Sequence, residues 1–556
     1  MRTLALVLAA CAPAPEGGDD DTRAGDTVDR DTDRPPLGLP AETDTGSAPA
    51  PRSPVEAAAP WTCADPDARQ AVGPLRPADT QGDWGAQPFD PERRTLFTGG
   101  GLTVADLDGD GRHDVFLPDL VASRLYLQTP DGRLALADDR LPALDRDLVV
   151  SATAADVDDD GDLDLFVARY GGTNALWRND DGRFVDVTKE AGVAGDPLGR
   201  TAAGSFADLD RDGALDLFVA THGGLDGVGR EPGPPSHLYL GRGDGTFHEV
   251  SERLSEDVQT SYTFLGGWHD LDDDGWLDLY VVNDFGNRRP NRVMWNREGV
   301  LVPDASGSGL EVGLQGMGLG VGDLDGRDGP EVVVAGWGNN RLLQRAGGSW
   351  YDVHEAAGVR GDAGRLQVVG WATELGDLDH DGDLDVVEGF GHIWNQRTPP
   401  AQPDEIFRND GPAGFTRVGQ AWGFDHPGQT RAVLAVDLDG DGWLDLLRAD
   451  LTGPATLQRA RCGHLASLVI RPRQAGANAF AVGARVRVIA GERTWTRWVH
   501  AGGTSILASG PPEVHVGLGS LAEVDGFEVT WPDGVVERFE GAATGRVVTL
   551  RRRADR

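Results

Sequence analysis

Asp156-Val157-Asp158-Asp159-Asp160-Gly161-Asp162-Leu163-Asp164, followed at once by Leu165-Phe166-Val167, is the stretch that decides the fold. Aspartates fall at positions one, three, five and nine of a nine-residue loop, with glycine at six. Carboxylates gathered round one point repel each other strongly where water is scarce, so they take up protons or enclose a hard cation. Oxygen-only ligands in a flexible loop with glycine at six suit Ca2+. The apolar run that follows is rich in strand formers, so the loop joins two strands. An EF-hand would need flanking helices and a bidentate Glu at position twelve. That position is Leu117, Val167, Val219, Val281 and Arg448 in five copies of the loop, and only the sixth has Glu388.

The first copy holds Asp106, Asp108, Asp110 and Asp114, and the second Asp156, Asp158, Asp160 and Asp164. The third holds Asp208, Asp210, Asp212 and Asp216; the fourth, Asp270, Asp272, Asp274 and Asp278. The sixth holds Asp377, Asp379, Asp381 and Asp385; the seventh, Asp437, Asp439, Asp441 and Asp445. A damaged fifth copy keeps Asp323, Asp325 and Glu331, with Arg327 at position five and Asp328 in place of the glycine. Six matching copies argue against a chance turn. About six Ca2+ sites are expected, with a seventh degenerate. Arg327 brings positive charge where a ligand oxygen belongs, and Asp328 is the one residue that could shift round to replace it.

The first aspartates are spaced at steps of 50, 52, 62, 53, 54 and 60 residues. Such periods match a four-stranded propeller blade. Further strand–turn–strand punctuation sits between the loops, as in Leu176-Trp177-Arg178-Asn179 before Asp181-Gly182-Arg183-Phe184, and Ile406-Phe407-Arg408-Asn409 before Gly414-Phe415. The expected fold is all-β. A seven-bladed β-propeller spans 61–458, a small sandwich-like domain 459–556, and a disordered tether precedes them.

These repeats resemble FG-GAP/VCBS repeats, the blade type of the integrin alpha-subunit propeller, in which the acidic loop binds calcium on one rim. Gly316-Met317-Gly318-Leu319-Gly320-Val321-Gly322-Asp323, Asn283-Asp284-Phe285-Gly286-Asn287 and Gly391-His392-Ile393-Trp394 are similar to segments of the cartilage acidic protein family. In the tail, Asn478–Val488, Val514–Gly519 and Val529–Gly534 resemble an ASPIC/UnbV domain. Its arginines and His515 either bind a ligand or occupy solvent-facing strand positions, the second being the expectation.

The first eleven residues, MRTLALVLAAC, place one Arg before an apolar run ending Leu8-Ala9-Ala10-Cys11. This resembles a bacterial lipobox, which implies a lipoprotein-type signal peptide over 1–11 and lipid on Cys11. Residues 12–60 are rich in Pro, Ala, Asp and Thr and bury too little apolar surface to fold. They are expected to act as a linker. The other cysteines, Cys63 and Cys462, flank the ring. Closure brings them together, so they form either a disulfide or two buried thiols.

The net charge is −39, from 90 acidic against 51 basic residues; seven Ca2+ ions would add 14 and leave −25. Such a surface repels nucleic acid. The function expected is a non-enzymatic, calcium-binding propeller outside the cytoplasm, lipid-anchored to the cell envelope or secreted. It binds an extracellular protein or polysaccharide through the rim opposite the calcium loops, and touches membrane only through its N-terminus. The alternative is an enzyme on a propeller scaffold, a polysaccharide lyase or a quinone-dependent oxidoreductase. No G-x-S-x-G, H-E-x-x-H or P-loop is present, so no catalytic residue is assigned. His269, His392 and His426 share no spacing that signals one site, and His392 is the lone candidate base. Trp268, Trp337, Trp371 and Trp394 either stack on sugars or pack between blades.

Overall fold

The computed structural model describes residues 52–553 apart from 65, 69–73, 77–98, 121, 144–147, 198, 223–234, 328, 339, 361–367, 393–401 and 452. The signal peptide, Cys11 and the linker up to 51 lie outside the described residues.

The acidic loop closes a hairpin, and that hairpin starts every blade. In blade two, Val149–Ala155 runs into the loop and Asp164–Arg169 leaves it, with Ala155 paired to Asp164. Ala175–Asp180 and Arg183–Asp186 complete the sheet. The same order builds blades one to six; among the described residues blade seven has three strands, Thr430–Val436, Asp445–Asp450 and Thr456–Gln458. Each inner strand packs on that of the next blade, and Thr430–Val436 returns to Leu102–Ala105 of blade one, so the ring closes. Aromatic side chains fill the seams: Phe116 meets Trp177 edge-on, and Trp295 lies against Trp350. The inner strands are also tied by hydroxyls. Thr103 donates to the Ala152 carbonyl, Ser151 to that of Ala202, and Ser205 to that of Gly266.

The tail is a sandwich of two four-stranded sheets. Its core gathers Leu468, Val486, Val488, Val516, Phe527, Trp531, Phe539 and Val548. Two features interleave it with the ring, where sequence patterning separates the two domains. First, the chain between Arg493–Trp498 and Val514–Gly519 enters the propeller. Phe206 of blade three donates its amide to the Ala501 carbonyl, and Ser505 donates to Leu319 of blade five. Ala508–Ser509 then pairs in parallel with Leu102–Thr103 of blade one. A segment touching inner strands on opposite sides of the ring lies on its axis and plugs the channel. Two glycines permit this. Gly502 and Gly503 have φ of 73° and 80°, and an added Cβ would lie 2.6 Å from the Gly204 carbonyl oxygen and 2.8 Å from the Gly267 Cα respectively.

Second, residues 53–61, assigned by composition to the linker and the start of the propeller, lace over the sandwich instead. Ser53 bridges Phe539, Glu56–Ala57 pairs with Val548–Thr549, and Trp61 donates its amide to Gly545. Edge pairing of this kind uses backbone groups, which leave no mark in composition. Further on, Cys63 and Cys462 form a disulfide, their Cα atoms 5.7 Å apart. Leu75 pairs with Ala460, taking the place of the missing outer strand of blade seven.

Candidate metal centres

Each acidic loop is built the same way. The position-nine carboxylate accepts two backbone amides. In loop two, Asp164 Oδ2 takes the amide of Val157 (3.0 Å), and Oδ1 takes that of Asn179 in the third strand (2.8 Å). Asp114, Asp278 and Asp385 repeat the pattern. Position nine therefore ties the loop to the rest of its blade as well as facing the cluster. The position-one carboxylate accepts the amide of the position-six glycine, at 3.2 Å for Asp156 and Gly161 and 2.9 Å for Asp377 and Gly382. That glycine sits at φ 93° in loop two, which explains the residue type. The position-five carboxylate closes a turn on the amide two residues on, as Asp160 does with Asp162 (2.9 Å).

Positions one, three and nine converge. Oxygens of Asp106, Asp108 and Asp114 lie within 4.8 Å of one another, as do those of Asp156, Asp158 and Asp164, of Asp208, Asp210 and Asp216, and of Asp270, Asp272 and Asp278. Asp323, Asp325 and Glu331 form a fifth such group, and two more exist. Position five (Asp110, Asp160, Asp212, Asp274) lies outside these four groups.

The electrostatics ask for a cation. Burial first, then the neighbouring aspartates, push the Asp156, Asp208 and Asp270 carboxyls up to about 7, and those of Asp377 and Asp437 up to about 8. Buried Oδ1 atoms of Asp108, Asp158, Asp208, Asp210, Asp270, Asp377 and Asp437 have no hydrogen-bond partner among the described residues. Buried carboxylate oxygens without donors are costly. An all-oxygen set of this kind fits a hard divalent cation.

Third-strand amides, whose role sequence reasoning missed, join neighbouring loops. Asn179 Nδ2 donates to the Leu107 carbonyl in the loop of the preceding blade (2.9 Å), and Asn296 and Asn409 do the same to Leu209 and Leu324, both at 2.8 Å. Their recurrence was the available signal.

The acidic rim is covered by the sandwich. Ser467 Oγ donates to the Gly442 carbonyl at 2.7 Å, His515 Nε2 lies 3.0 Å from the same oxygen, and Gly519 donates its amide to His380 at 2.8 Å. Arg471 Nε holds Glu513 at 2.7 Å, and His113 Nε2 approaches it at 3.4 Å. Burial opposes that charge, but His113 and Arg471 outweigh it and hold the Glu513 carboxyl well below the usual range. His515 is therefore an interface residue and not a solvent-facing one. Strand alternation tells which way a side chain points, but not what covers that face.

The candidate histidines separate. His269 lies against His500 of the plug, ring centres 4.9 Å apart. At the other rim, His426 faces Asp450 (3.3 Å) and Gln429 stands 3.4 Å from His392. Trp268 and Trp371 are buried in packing; Trp337 is partly buried against the ring core, and Trp394 lies outside the described residues.

Comparison with known proteins agrees with this architecture. The FG-GAP-like repeat matches residues 106–167, 156–219, 270–334 and 395–447, and the ASPIC and UnbV family matches 474–556. Human cartilage acidic protein 1 is 25% identical over 469 residues, 78% of this chain and 69% of that protein. Human integrin alpha-IIb is 30% identical over 201 residues, 34% of this chain and 15% of that one. A solved Agrocybe aegerita lectin structure superposes at a TM-score of 0.37 and 18% identity, covering 57% of this chain and 79% of that one, too loosely to argue from. The chain is thus a protein of FG-GAP repeats closed by an ASPIC and UnbV domain, homologous to cartilage acidic protein 1.

Proposed function

We propose that this is a calcium-loaded, non-enzymatic binding module that works outside the cytoplasm and holds a protein or polysaccharide partner on the rim away from its acidic loops. One observation carries the choice of face. The sandwich sits on the acidic rim and the plug fills the axis, and among the described residues the opposite rim stays open. Calcium is supported by the orphaned buried carboxylate oxygens in oxygen-only loops. Its role is structural, because each loop ties two strands of its blade and meets the next. The Cys63–Cys462 disulfide favours an oxidising compartment. No helix among the described residues is long and apolar enough to cross a membrane, and lipid on Cys11 is the attachment proposed.

His426, Asp450, Gln429 and His392 meet on the open rim, and that is where an enzyme would work. One pair of assays on the calcium-loaded chain separates the readings. Retention on a glycan or protein array without turnover supports the binding module. Release of unsaturated uronate ends from acidic polysaccharides, abolished by His392→Ala, supports a lyase.

A further inference from the structure

The fifth loop departs from the other six in how its carboxylates are answered. We propose that it is a socket in which the C-terminal domain docks, and not a metal site. Thr496 and Arg497 stand there where a cation stands in its neighbours.

Four observations converge. Each of the other six loops keeps at least one buried carboxylate oxygen without a donor; Asp323, Asp325 and Glu331 keep none among the described residues. Asp325 is spent, its Oδ2 on the Gln344 amide at 2.6 Å and its Oδ1 on the Arg327 backbone amide at 2.8 Å. Asp323 Oδ1 takes the amide of Gly326, at position four, at 2.7 Å. The sandwich strand Arg493–Trp498 brings the Arg497 guanidinium and Thr496 to face Asp323, where both work against the effect of burial on its carboxyl.

Arg497 explains why the loop changed. It is 7% exposed, lies between loops five and six, and donates to the Gly382 carbonyl at 3.4 Å. A buried guanidinium needs carboxylates around it, and Asp377 and Asp323 are the two that face it most strongly. A divalent ion in loop five would set two more positive charges beside it and beside Arg327 at position five. The three acidic side chains still lie close enough to hold an ion, yet protein donors already meet them. The loop has kept its charge and changed its partner.

The contrast rests on the calcium reading of the other loops, but the socket does not. Thermal unfolding of the full chain is compared with and without chelator for Asp158→Asn, Asp323→Asn, Arg497→Met and the double variant Asp323→Asn/Arg497→Met, alongside calcium counted per chain. Asp158→Asn should lose one ion, and its lowered Tm should match wild type once calcium is removed. Asp323→Asn should leave the count unchanged and lower Tm equally in both conditions. The double variant should lose less than the sum of its parts. Should Arg497→Met fail to fold, Thr496→Val takes its place in the cycle. A count that drops by one in Asp323→Asn, a Tm loss that vanishes in chelator, or strict additivity would each overturn the socket. If no loop binds calcium, non-additivity still decides.

Discussion

Gln128 of blade one donates its side-chain amide to the Leu438 carbonyl of blade seven at 2.6 Å, across 310 residues of chain. The bond repeats in kind what Asn179, Asn296 and Asn409 make between consecutive blades. Here, however, it joins the last blade to the first. One local device thus serves propagation round the ring and its closure.

Replacing Gln128 by Ala should leave a buried carbonyl unpaired at the closure. The expected loss is about 1–3 kcal/mol, read from the denaturant midpoint. Arg133→Ala, at a highly exposed position in the same blade, should change stability little.

The disulfide is a second closure. It spans 399 residues, so the cross-link constrains the unfolded chain strongly. Cys63→Ser should lower stability by up to about 5 kcal/mol. Reductant should bring wild type down to the variant and leave the variant unchanged, measured by urea unfolding.

The acidic loop was legible because its chemistry repeats: Asp156 to Asp164 fixes the loop, the hairpin and, by its period, the blade. Asn179, Asn296 and Asn409 were visible too, but their bonds run to carbonyls of other blades, which one strand cannot reveal. The plug was not legible. His500-Ala501-Gly502-Gly503-Thr504-Ser505 reads as a turn, and its partners are backbone atoms of blades far away in sequence. The same holds for Ser53 and Glu56, which add to sheet edges through backbone pairing, with Ser53 Oγ donating to Glu537 and the Glu56 carboxylate meeting Arg551 besides. Side-chain patterns report which face is apolar; they do not report which edge is open.

The plug should be sensitive to acid. An ordinary imidazole protonates near 6.5, and burial pushes His500 down to about 4. It borders a cavity of about 160 Å³ shared with Glu374 and Arg497, and His269 packs against it. The unfolded chain therefore takes up this proton below about pH 6.5, while the folded chain resists until about 4. Its effect on stability is level above that window and turns unfavourable as pH falls through it, by up to about 1.4 kcal/mol per pH unit. The difference between wild type and His500→Asn isolates this proton. The variant's stability should fall less steeply between those two pH values.

Arg297 is placed to compete with a cation in loop four. Its guanidinium reaches Asp272 Oδ2 and Asp274 Oδ2, both at 2.6 Å. Removing that charge should strengthen calcium binding at this loop, by about 1 kcal/mol or several-fold for an exposed arginine. Calorimetric titration of Arg297→Ala should show one site tightened and the rest unchanged.

Native mass spectrometry of the chain purified in millimolar calcium tests the account most directly. The prediction is six bound Ca2+ ions per chain, all lost to chelator, with a fall in melting temperature on their removal. A chain that carries no metal and melts at the same temperature with chelator as without it would contradict the account.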